Sequence, residues 1–301
     1  MRISTNQFQQ SALNTMLNQQ TKLSKTQLEV ASGRKFLTPA DDPLAAVTAL
    51  DLSRQLDGIE QYQRNIERAS SSLITGEQTL SSVQEQLQRT RELAVQAGSS
   101  GLGAAGRKAI SYEARQLQQS VLALANTRGA DGEYLFSGYQ TQAVPYTDAG
   151  GGVFTYNGDQ GQRLMEVAQS TRVAATDAGV GVFGTLSATA GGTTDVFKII
   201  FDFATDLESN TFNPNTITDL DTALRSISDA RASMGARQNT LDTIKELNGS
   251  FAVDTQKTLS SVQDLDYAEA VSRLNLQLTG LQAAQAAFVR IQNLSLFSLL
   301  R

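Results

Sequence analysis

Hydrophobic residues recur at intervals of three and four along both ends of the chain, and this spacing predicts long amphipathic helices. The clearest run lies in residues 52–97, where eleven of the 14 positions on one seam are apolar. The seam consists of Leu52, Gln55, Ile59, Tyr62, Ile66, Ala69, Leu73, Gly76, Leu80, Val83, Leu87, Thr90, Ala94 and Ala97. Heptads of this kind predict a helix of roughly 70 Å that packs against partner helices in a coiled coil or a bundle.

Four further segments carry weaker stripes with the same spacing. The stripes consist of Leu13, Met16, Leu23 and Val30, with Gln20 and Gln27 on the same seam; of Ile110, Ala114, Leu117, Val121 and Leu124; of Leu220, Leu224, Ile227, Met234, Leu241 and Ile244; and of Val271, Leu274, Leu278, Leu281, Phe288 and Ile291. Each predicted helix has a polar opposite face, so each needs a partner for its stripe. Glutamines on the first seam indicate weak pairing, and we expect both chain ends to become ordered on assembly.

The middle of the chain has a different pattern. Residues 129–192 contain 13 of the 23 glycines, and short β-branched and aromatic stretches replace the helical spacing. Residues 148–152 are rich in glycine, and Asn157-Gly158 is a strong signal for a hairpin turn. We therefore expect a small β-rich insert that can be removed without loss of the helical core. Helical spacing then returns at Val196, Ile200, Phe203 and Leu207.

Proline placement agrees with this division. Residues 44–144 and 215–301 contain no proline, so no proline interrupts a long helix there. We predict a mainly α protein whose core is a long antiparallel helical coiled coil or bundle built from both chain ends, with a small β-rich central insert. The predicted parts are an N-terminal assembly helix and corner at 1–43, a long helical core at 44–130, an outward-facing β-rich insert at 131–193, the returning helical core at 194–265 and a C-terminal assembly helix at 266–301.

Two prolines enclose an acidic pair in FLTPADDPLAA at residues 36–46. Pro39 ends the first helix, because the residue before a proline is biased away from helical conformation. Asp42 is suited to cap the next helix, with Pro43 at its first position, where a missing N–H costs nothing. A metal site would need more oxygen ligands than the neighbourhood offers. The predicted structural corner comprises Pro39, Asp41, Asp42 and Pro43.

The composition excludes several classes of chemistry. The 301 residues include no His, Cys or Trp, which excludes Ser-His-Asp and Cys-His catalysis, thiol redox chemistry and His- or Cys-ligated metals. A net charge of −5 argues against binding of nucleic acid, which needs a basic face. An enzyme would need a site of oxygen ligands in the central insert, and the sequence shows no such constellation. We predict no catalytic residue, no cofactor and no metal.

One glycine motif matches a dinucleotide fingerprint. GLGAAG at residues 101–106 has the spacing G-x-G-x-x-G, but that motif binds a pyrophosphate only where it follows a strand and opens a helix. Here it follows the long heptad helix. We interpret it as a flexible break between two helices.

Several carboxylates have ordinary structural explanations. Glu77, Glu85 and Glu92 lie away from the apolar seam, so we expect them on a solvated face. Asp219 and Asp221 are expected at a helix start, where acidic residues interact favourably with the positive end of the helix dipole.

The chain shows no secretory signal. Residues 1–25 contain no continuous apolar segment of that kind, and no apolar run approaches the ~18 residues that a membrane helix needs. The absence of cysteine fits the cytosol and equally fits a secreted protein without disulfides. If this protein leaves the cell, we expect another export route.

Four stretches taken together resemble the flagellin superfamily. They are MRISTNQFQQSALNTM at residues 1–16, LTPADDPLAA at 37–46, RTRELAVQAG at 89–98 and VDTQKTLSSVQDLDYAEAVSRLNLQLTGLQAAQAAFVRIQNLSLF at 253–297. Within the superfamily, the sequence is similar to the hook–filament junction proteins, the third hook-associated proteins. The resemblance covers both ends of the chain and not its centre.

The resemblance implies a structural role. Such proteins are exported unfolded through the flagellar type III apparatus and assemble extracellularly as a homo-oligomeric ring between hook and filament, with paired chain ends inside. It also implies the first hook-associated protein and flagellin as neighbours, and an export chaperone that binds near the C-terminal helix. The residues expected to carry assembly are Ile3, Phe8, Leu13, Met16, Leu23, Val30, Val271, Leu274, Leu278, Leu281, Phe288, Ile291 and Leu294.

Two alternatives stay open. RELAVQA at residues 91–97 and SLLR at 298–301 also resemble flagellin itself. The opening MRIST, Pro43 after the acidic pair and DYAEAVSRL at 266–274 favour the junction proteins. An intracellular coiled-coil scaffold, a different class, would explain the heptads but not the paired terminal motifs or the β-rich insert.

Overall fold

The computed structural model describes residues 2–99 and 101–297, and most of them are helical. The helices are α1 (Arg2–Ser32), α2 (Pro43–Ala97), α3 (Ala104–Ala125), α4 (Val196–Glu208), α5 (Asn215–Gln263) and α6 (Tyr267–Phe297), with a π-helical turn at Val180–Gly184. The strands are β1 (Tyr146–Asp148), β2 (Phe154–Tyr156), β3 (Leu164–Ala168), β4 (Thr171–Ala174), β5 (Leu186–Ser187) and β6 (Thr193–Thr194). The predicted mainly α fold with a small β-rich central insert is confirmed.

The chain divides into two compact units. The first unit consists of residues 1–58 and 251–301, and the second consists of residues 59–250. The long helices α2 and α5 contribute residues to both units, because the division falls within each helix.

The hydrophobic core of the second unit is built on the predicted seam of α2. Every seam position from Ile66 to Ala97 is buried, whereas the four earlier positions are exposed or half-buried. The buried residues of α5 in the same cluster are Leu220, Ala223, Ile227, Met234 and Leu241. Gly76 makes room for this packing, because a Cβ atom there would lie 3.3 Å from the Met234 sulfur. Each large aliphatic side chain buried here contributes roughly 1.5–3 kcal/mol, so the seam is a main source of stability.

The ion pairs between α2 and α5 show that these helices run antiparallel in the second unit. Glu77 pairs with Arg231 at 2.5 Å and Arg91 pairs with Asp221 at 2.6 Å, so residue numbers rise on one helix as they fall on the other. The expectation that Glu77 lies on a solvated face is therefore wrong. The expectation of Asp219 and Asp221 at a helix start is also wrong, because α5 begins at Asn215 and its first turn contains no acidic residue.

The glycine motif at residues 101–106 begins in the break between α2 and α3 and ends in the first turn of α3. α2 ends at Ala97, and α3 begins at Ala104 with Gly103 as its N-cap residue. The element before the motif is a helix and not the strand that a dinucleotide site requires. The interpretation of this motif as a break between helices is confirmed.

The central insert contains three two-stranded antiparallel sheets. The loop between β1 and β2 holds the glycines at 150–152, all of which adopt the positive φ angles that glycine tolerates best. The prediction that Asn157-Gly158 forms a hairpin turn is wrong, because β2 pairs with β1 and β3 pairs with β4. The Asn157 amide instead donates to Val144 O at 3.3 Å and Thr147 Oγ1 at 3.1 Å.

Aromatic contacts join the insert to the helices. The ring centroids of Tyr146 and Phe183 lie 4.7 Å and 5.9 Å from that of Phe197 on α4. Asn248, buried on α5, donates to the carbonyl oxygen of Val167 on β3 at 2.9 Å. Insert and helices share one hydrophobic core, which argues against the expectation that the insert is separable.

Candidate assembly surface

The two terminal helices form an antiparallel pair within the first unit. Arg273 on α6 donates to Glu29 on α1 at 2.8 Å, and farther along the pair Met16 and Phe288 line one groove. The Glu29 side chain is 9% exposed and that of Arg273 is 43% exposed, so the ion pair is partly buried. The pair therefore helps to fix the register of α1 against α6.

The seam of α1 that faces α6 differs from the predicted one. Its buried and half-buried side chains are Gln9, Ala12, Met16, Gln19, Leu23, Thr26, Glu29 and Val30. Gln20 and Gln27 are exposed, so their predicted place on the seam is wrong. The apolar residues of α1 are divided between two faces, since Leu13 and Leu17 are 47% and 58% exposed.

The predicted assembly residues lie at different depths in the terminal pair. Leu23 is buried, and Leu13 and Val271 are exposed. The half-buried members are Met16, Val30, Leu274, Leu278, Leu281 and Phe288. Ile3, Phe8, Ile291 and Leu294 belong to α1 or α6, but their side chains lie outside the described residues.

Large apolar side chains are exposed throughout the first unit. They are Leu13, Leu17, Leu28, Leu37, Leu44, Val47, Leu50, Phe251, Val253, Tyr267, Val271, Leu276 and Val289. The buried hydrophobic residues described in the same unit are Leu23, Ala49 and Ala270. Extensive exposed apolar surface marks interaction sites in soluble proteins. Among its described residues, the first unit therefore exposes more large apolar side chains than it buries.

The corner between α1 and α2 is built by its two aspartates. α2 begins at Pro43, and Asp42 Oδ1 accepts the backbone N–H of Ala45 at 3.0 Å, which is the geometry of an N-cap. Asp41 Oδ2 accepts the backbone N–H groups of Leu37 and Thr38 at 3.1 and 3.0 Å. Pro39 lies in this turn, seven residues after the last residue of α1, Ser32, so the prediction that Pro39 ends the first helix is wrong.

Asp41 also binds α1, which the sequence reasoning missed. Its Oδ1 accepts from the Lys25 ammonium. This contact, together with the Thr38 and Leu37 N–H groups, lowers the pKa of Asp41 below its ordinary range. The pKa of Lys25 is raised in return, with Asp41 as the main cause. The corner is thus clasped to the preceding helix by a charge-assisted hydrogen bond.

The two breaks between helices are joined to each other. Lys35 N–H donates to Gln263 O at 2.8 Å, and Leu265 N–H donates to Gly33 O at 2.9 Å. Gly33 ends α1 with a φ of 73°, and a Cβ atom there would lie 2.9 Å from the hydroxyl oxygen of Tyr267. In the sequence, Gly33 signals the end of α1. The segment between α5 and α6 that it contacts lies too far along the chain to be inferred from the sequence.

The chemistry of the surface is that of binding. Within residues 2–99 and 101–297, no three Asp or Glu residues are grouped to hold a metal ion. In the same described ranges, no helix combines the length and apolar character of a membrane span. Exposed leucines, helix caps and ion pairs can position and bind other chains.

Two family models match the chain in order. The bacterial flagellin N-terminal helical region matches residues 3–141, and the bacterial flagellin C-terminal helical region matches residues 217–300. Together they cover more than half of the chain. Strands β1 to β6 and α4 lie in the unmatched residues between them.

Similar proteins include two kinds of flagellar subunit. "Flagellar hook-associated protein 3" from Salmonella typhimurium is 26% identical over 100% of both chains. "Flagellin" from Bacillus subtilis is 26% identical over 95% of this chain and 94% of its own. The crystal structure of hook-associated protein-3 from Legionella pneumophila matches with a TM-score of 0.65 at 21% identity, covering 70% of this chain and 98% of that one. This last likeness shows a shared fold.

Proposed function

The chain belongs to the bacterial flagellin family, and we propose that it is a hook–filament junction protein of the bacterial flagellum. The observation that carries the proposal is the match to hook-associated protein 3, which extends over the full length of both chains. The role is structural: the protein forms a connecting layer and catalyses no reaction. Family matches at both ends of the chain favour a flagellar subunit over an intracellular coiled-coil scaffold.

The first unit supplies the surface for this assembly. Its exposed leucines and valines outnumber its buried hydrophobic residues, so an isolated copy leaves much of its apolar surface in water. Burial of that surface contributes roughly 25 cal/mol per Å². Copies arranged in a ring cover the terminal helices of one another and of the adjoining flagellar layers.

The proposed position between hook and filament implies the partners of the protein. The first hook-associated protein lies on the hook side of the ring, and flagellin lies on the filament side. Before assembly, the chain passes through the flagellar type III export apparatus, and a chaperone covers the apolar residues of α6. The assembled protein is extracellular.

Flagellin itself is the second candidate. The flagellin of Bacillus subtilis aligns with 95% of this chain, so the helical ends serve either role. The two roles differ in position and number, because a junction protein forms one layer and flagellin forms the whole filament.

Complementation and localisation together test the proposal. Cells that lack their junction protein should regain swimming when they produce this chain, and cells that lack flagellin should not. An epitope inserted in the exposed loop at residues 149–151 should be labelled as one band between hook and filament. Label along the entire filament, with rescue of the flagellin-deficient cells, would establish the second candidate instead.

A further inference from the structure

The helices α2 and α5 lose their buried side chains where they pass from one unit to the other. Among the described residues of α2, none between Ala49 and Ile66 is buried, and among those of α5 none is buried after Asn248. Segments with few buried contacts open at a lower free energy than the rest of a fold. Each helix therefore crosses the boundary between the units with little support from side-chain packing.

A glycine lies at this boundary in each of the two helices. Gly58 is the last residue of the first unit on α2, and Gly249 lies one residue before the end of the second unit on α5. Glycine in a helix interior is less stable than alanine by about 0.5–1 kcal/mol, because it has more conformational freedom to lose. Ser250 follows Gly249, and Gly/Ser pairs are a recognised cause of helix kinks.

Packing does not require either glycine. At Gly58 and at Gly249, no described atom outside the adjoining stretch of helix lies within 4 Å of the place where a Cβ atom would stand. Gly76 on α2 differs, because a Cβ atom there would lie 3.3 Å from the Met234 sulfur. The two boundary glycines thus affect the backbone and not the fit of neighbouring side chains. Their φ and ψ angles can change without a steric conflict from a Cβ atom.

Contacts join α2 to its neighbours on both sides of the boundary. In the first unit, Lys35 N–H, in the segment before α2, donates to the carbonyl oxygen of Gln263 on α5 at 2.8 Å. In the second unit, the Gln63 amide on α2 donates to the carbonyl oxygen of Lys245 on α5 at 3.0 Å. These contacts hold each unit together, so bending is concentrated in the helical turns between them.

We propose that Gly58 and Gly249 form a hinge at which α2 and α5 bend, so that the first unit changes its orientation relative to the second while the core of the second unit is kept. Hinges of this kind are a few residues that absorb changes in φ and ψ, and such motions take microseconds to milliseconds. The hinge lets the exposed apolar side chains of the first unit take the orientation that their partners require. The inference goes beyond the proposed function and does not depend on it, because the hinge is a property of the free chain.

Distances between paired spin labels test the hinge, because the native chain contains no cysteine that would compete for the label. The purified full chain is labelled at Ser71→Cys in the second unit and Glu269→Cys in the first, both exposed positions, and pulsed electron double resonance gives the distribution of distances. Ser71→Cys with Gln88→Cys, both in the second unit, gives the width that the labels alone produce. The pair across the boundary should give the broader distribution. Equal widths would overturn the hinge.

Alanine substitutions identify the hinge residues. Gly58→Ala with Gly249→Ala should narrow the distribution across the boundary toward the width found within the second unit. Gly235→Ala is the matched control, because Gly235 also lies on α5 with open space at its Cβ position but stands beside the buried Met234, inside the second unit. It should leave the distribution unchanged. An unchanged width in the paired variant, or equal narrowing by Gly235→Ala, would overturn the assignment to Gly58 and Gly249.

Hydrogen exchange provides a second measurement on the same variants. In an α-helix the N–H group four residues after a glycine donates to the glycine carbonyl oxygen, so Tyr62 and Val253 report on Gly58 and Gly249. Their protection factors should rise about two- to fivefold in the paired variant, the change that corresponds to about 0.5–1 kcal/mol for each glycine. Gly235→Ala should leave both protection factors unchanged. If the paired variant does not slow the exchange of Tyr62 and Val253, the glycines do not weaken these helices and the hinge is excluded.

Discussion

Tyr146 and Tyr156 lie opposite each other on β1 and β2 with ring centroids 5.1 Å apart, yet their hydroxyl groups have different surroundings. The Tyr156 hydroxyl donates a bifurcated hydrogen bond to Phe136 O at 2.9 Å and Asp159 O at 2.8 Å. The Tyr146 hydroxyl is buried and has no hydrogen-bond partner among the residues that the structure describes. Burial raises the pKa of Tyr146 above its usual range.

This difference predicts opposite effects for two otherwise identical substitutions. Tyr156→Phe removes a satisfied hydroxyl and takes a hydrogen bond from Asp159 O and from Phe136 O, of which Phe136 O keeps the Gly179 N–H, so it should lower the free energy of unfolding by about 1–3 kcal/mol. Tyr146→Phe removes an unsatisfied buried hydroxyl and should leave stability unchanged or raise it by up to about 1 kcal/mol. Urea unfolding followed by circular dichroism measures both. Equal losses in the two variants would contradict the assignment of the Tyr146 hydroxyl.

The clasp between Lys25 and Asp41 predicts a local dependence on pH. Because the pKa of Asp41 is lowered in the folded protein, its contribution is fully present above the unfolded value of about 3.9 and is lost as the pH falls through the lower folded value. The amide protons of Leu37 and Thr38, which Asp41 accepts, should therefore exchange faster relative to a random-coil reference as the pH falls below 4. Hydrogen exchange measured by NMR between pH 2 and 6 follows them.

Asp41→Asn supplies the control for this experiment. The amide keeps the side-chain shape and one acceptor oxygen but carries no charge, so the protection of Leu37 and Thr38 should be lower at neutral pH and independent of pH. If the parent and Asp41→Asn show the same pH dependence, another group controls the corner.

Gly33 and Gly58 predict effects of opposite sign for the same substitution. Gly33 has a φ of 73°, and a Cβ atom added there would lie 2.9 Å from the Tyr267 hydroxyl oxygen, so Gly33→Ala combines backbone strain of about 1–2 kcal/mol with a steric contact. Gly58 lies within α2 with open space around its Cβ position, so Gly58→Ala should stabilise by about 0.5–1 kcal/mol. Thermal unfolding compares the two.

A third variant separates the two costs at Gly33. Tyr267→Phe removes the hydroxyl that the added Cβ would meet. The double variant Gly33→Ala with Tyr267→Phe should therefore regain the stability lost to the steric contact but not the stability lost to backbone strain. Full recovery to the parent stability would show that the left-handed conformation of Gly33 costs nothing for alanine.

Local periodicity was sufficient to predict the long helices but not all of their faces. On α2, the seam from Ile66 to Ala97 is strongly apolar, and all of its positions are buried on one face of the helix. On α1, Leu13 and Leu17 follow Ala12 and Met16 by one residue, so two possible faces compete and the spacing alone cannot choose between them. The choice depends on α6, which is a tertiary partner.

Contacts between distant residues explain the other differences. Asp41 binds Lys25 sixteen residues earlier, and Lys35 binds Gln263 on another helix; neither pair leaves a local pattern in the sequence. The corner was predictable because Asp42 and Pro43 act on the residues next to them. The hydrogen bond between Lys25 and Asp41, which joins the corner to α1, was not predictable from neighbouring residues.

The insert provides a final prediction, since its aromatic residues belong to the core of the second unit. Phe183 is fully buried and packs at 5.2 Å from Phe136 and 5.9 Å from Phe197, centroid to centroid. Phe183→Ala should lower the free energy of unfolding by about 3–5 kcal/mol. Phe251→Ala, on the exposed surface of α5, should change it by no more than about 0.5 kcal/mol.

Removal of the insert should have a larger effect of the same kind. Replacement of residues 141–192 by a short linker removes Tyr146 and Phe183 and exposes Phe197 on α4, whose side chain is fully buried in the parent. The midpoint of thermal unfolding should fall sharply, and the melting curve should lose cooperativity because α4 no longer has a complete core to pack against. Circular dichroism at 222 nm measures both. An unchanged midpoint with a cooperative transition would show that α2 to α5 form a core without the insert.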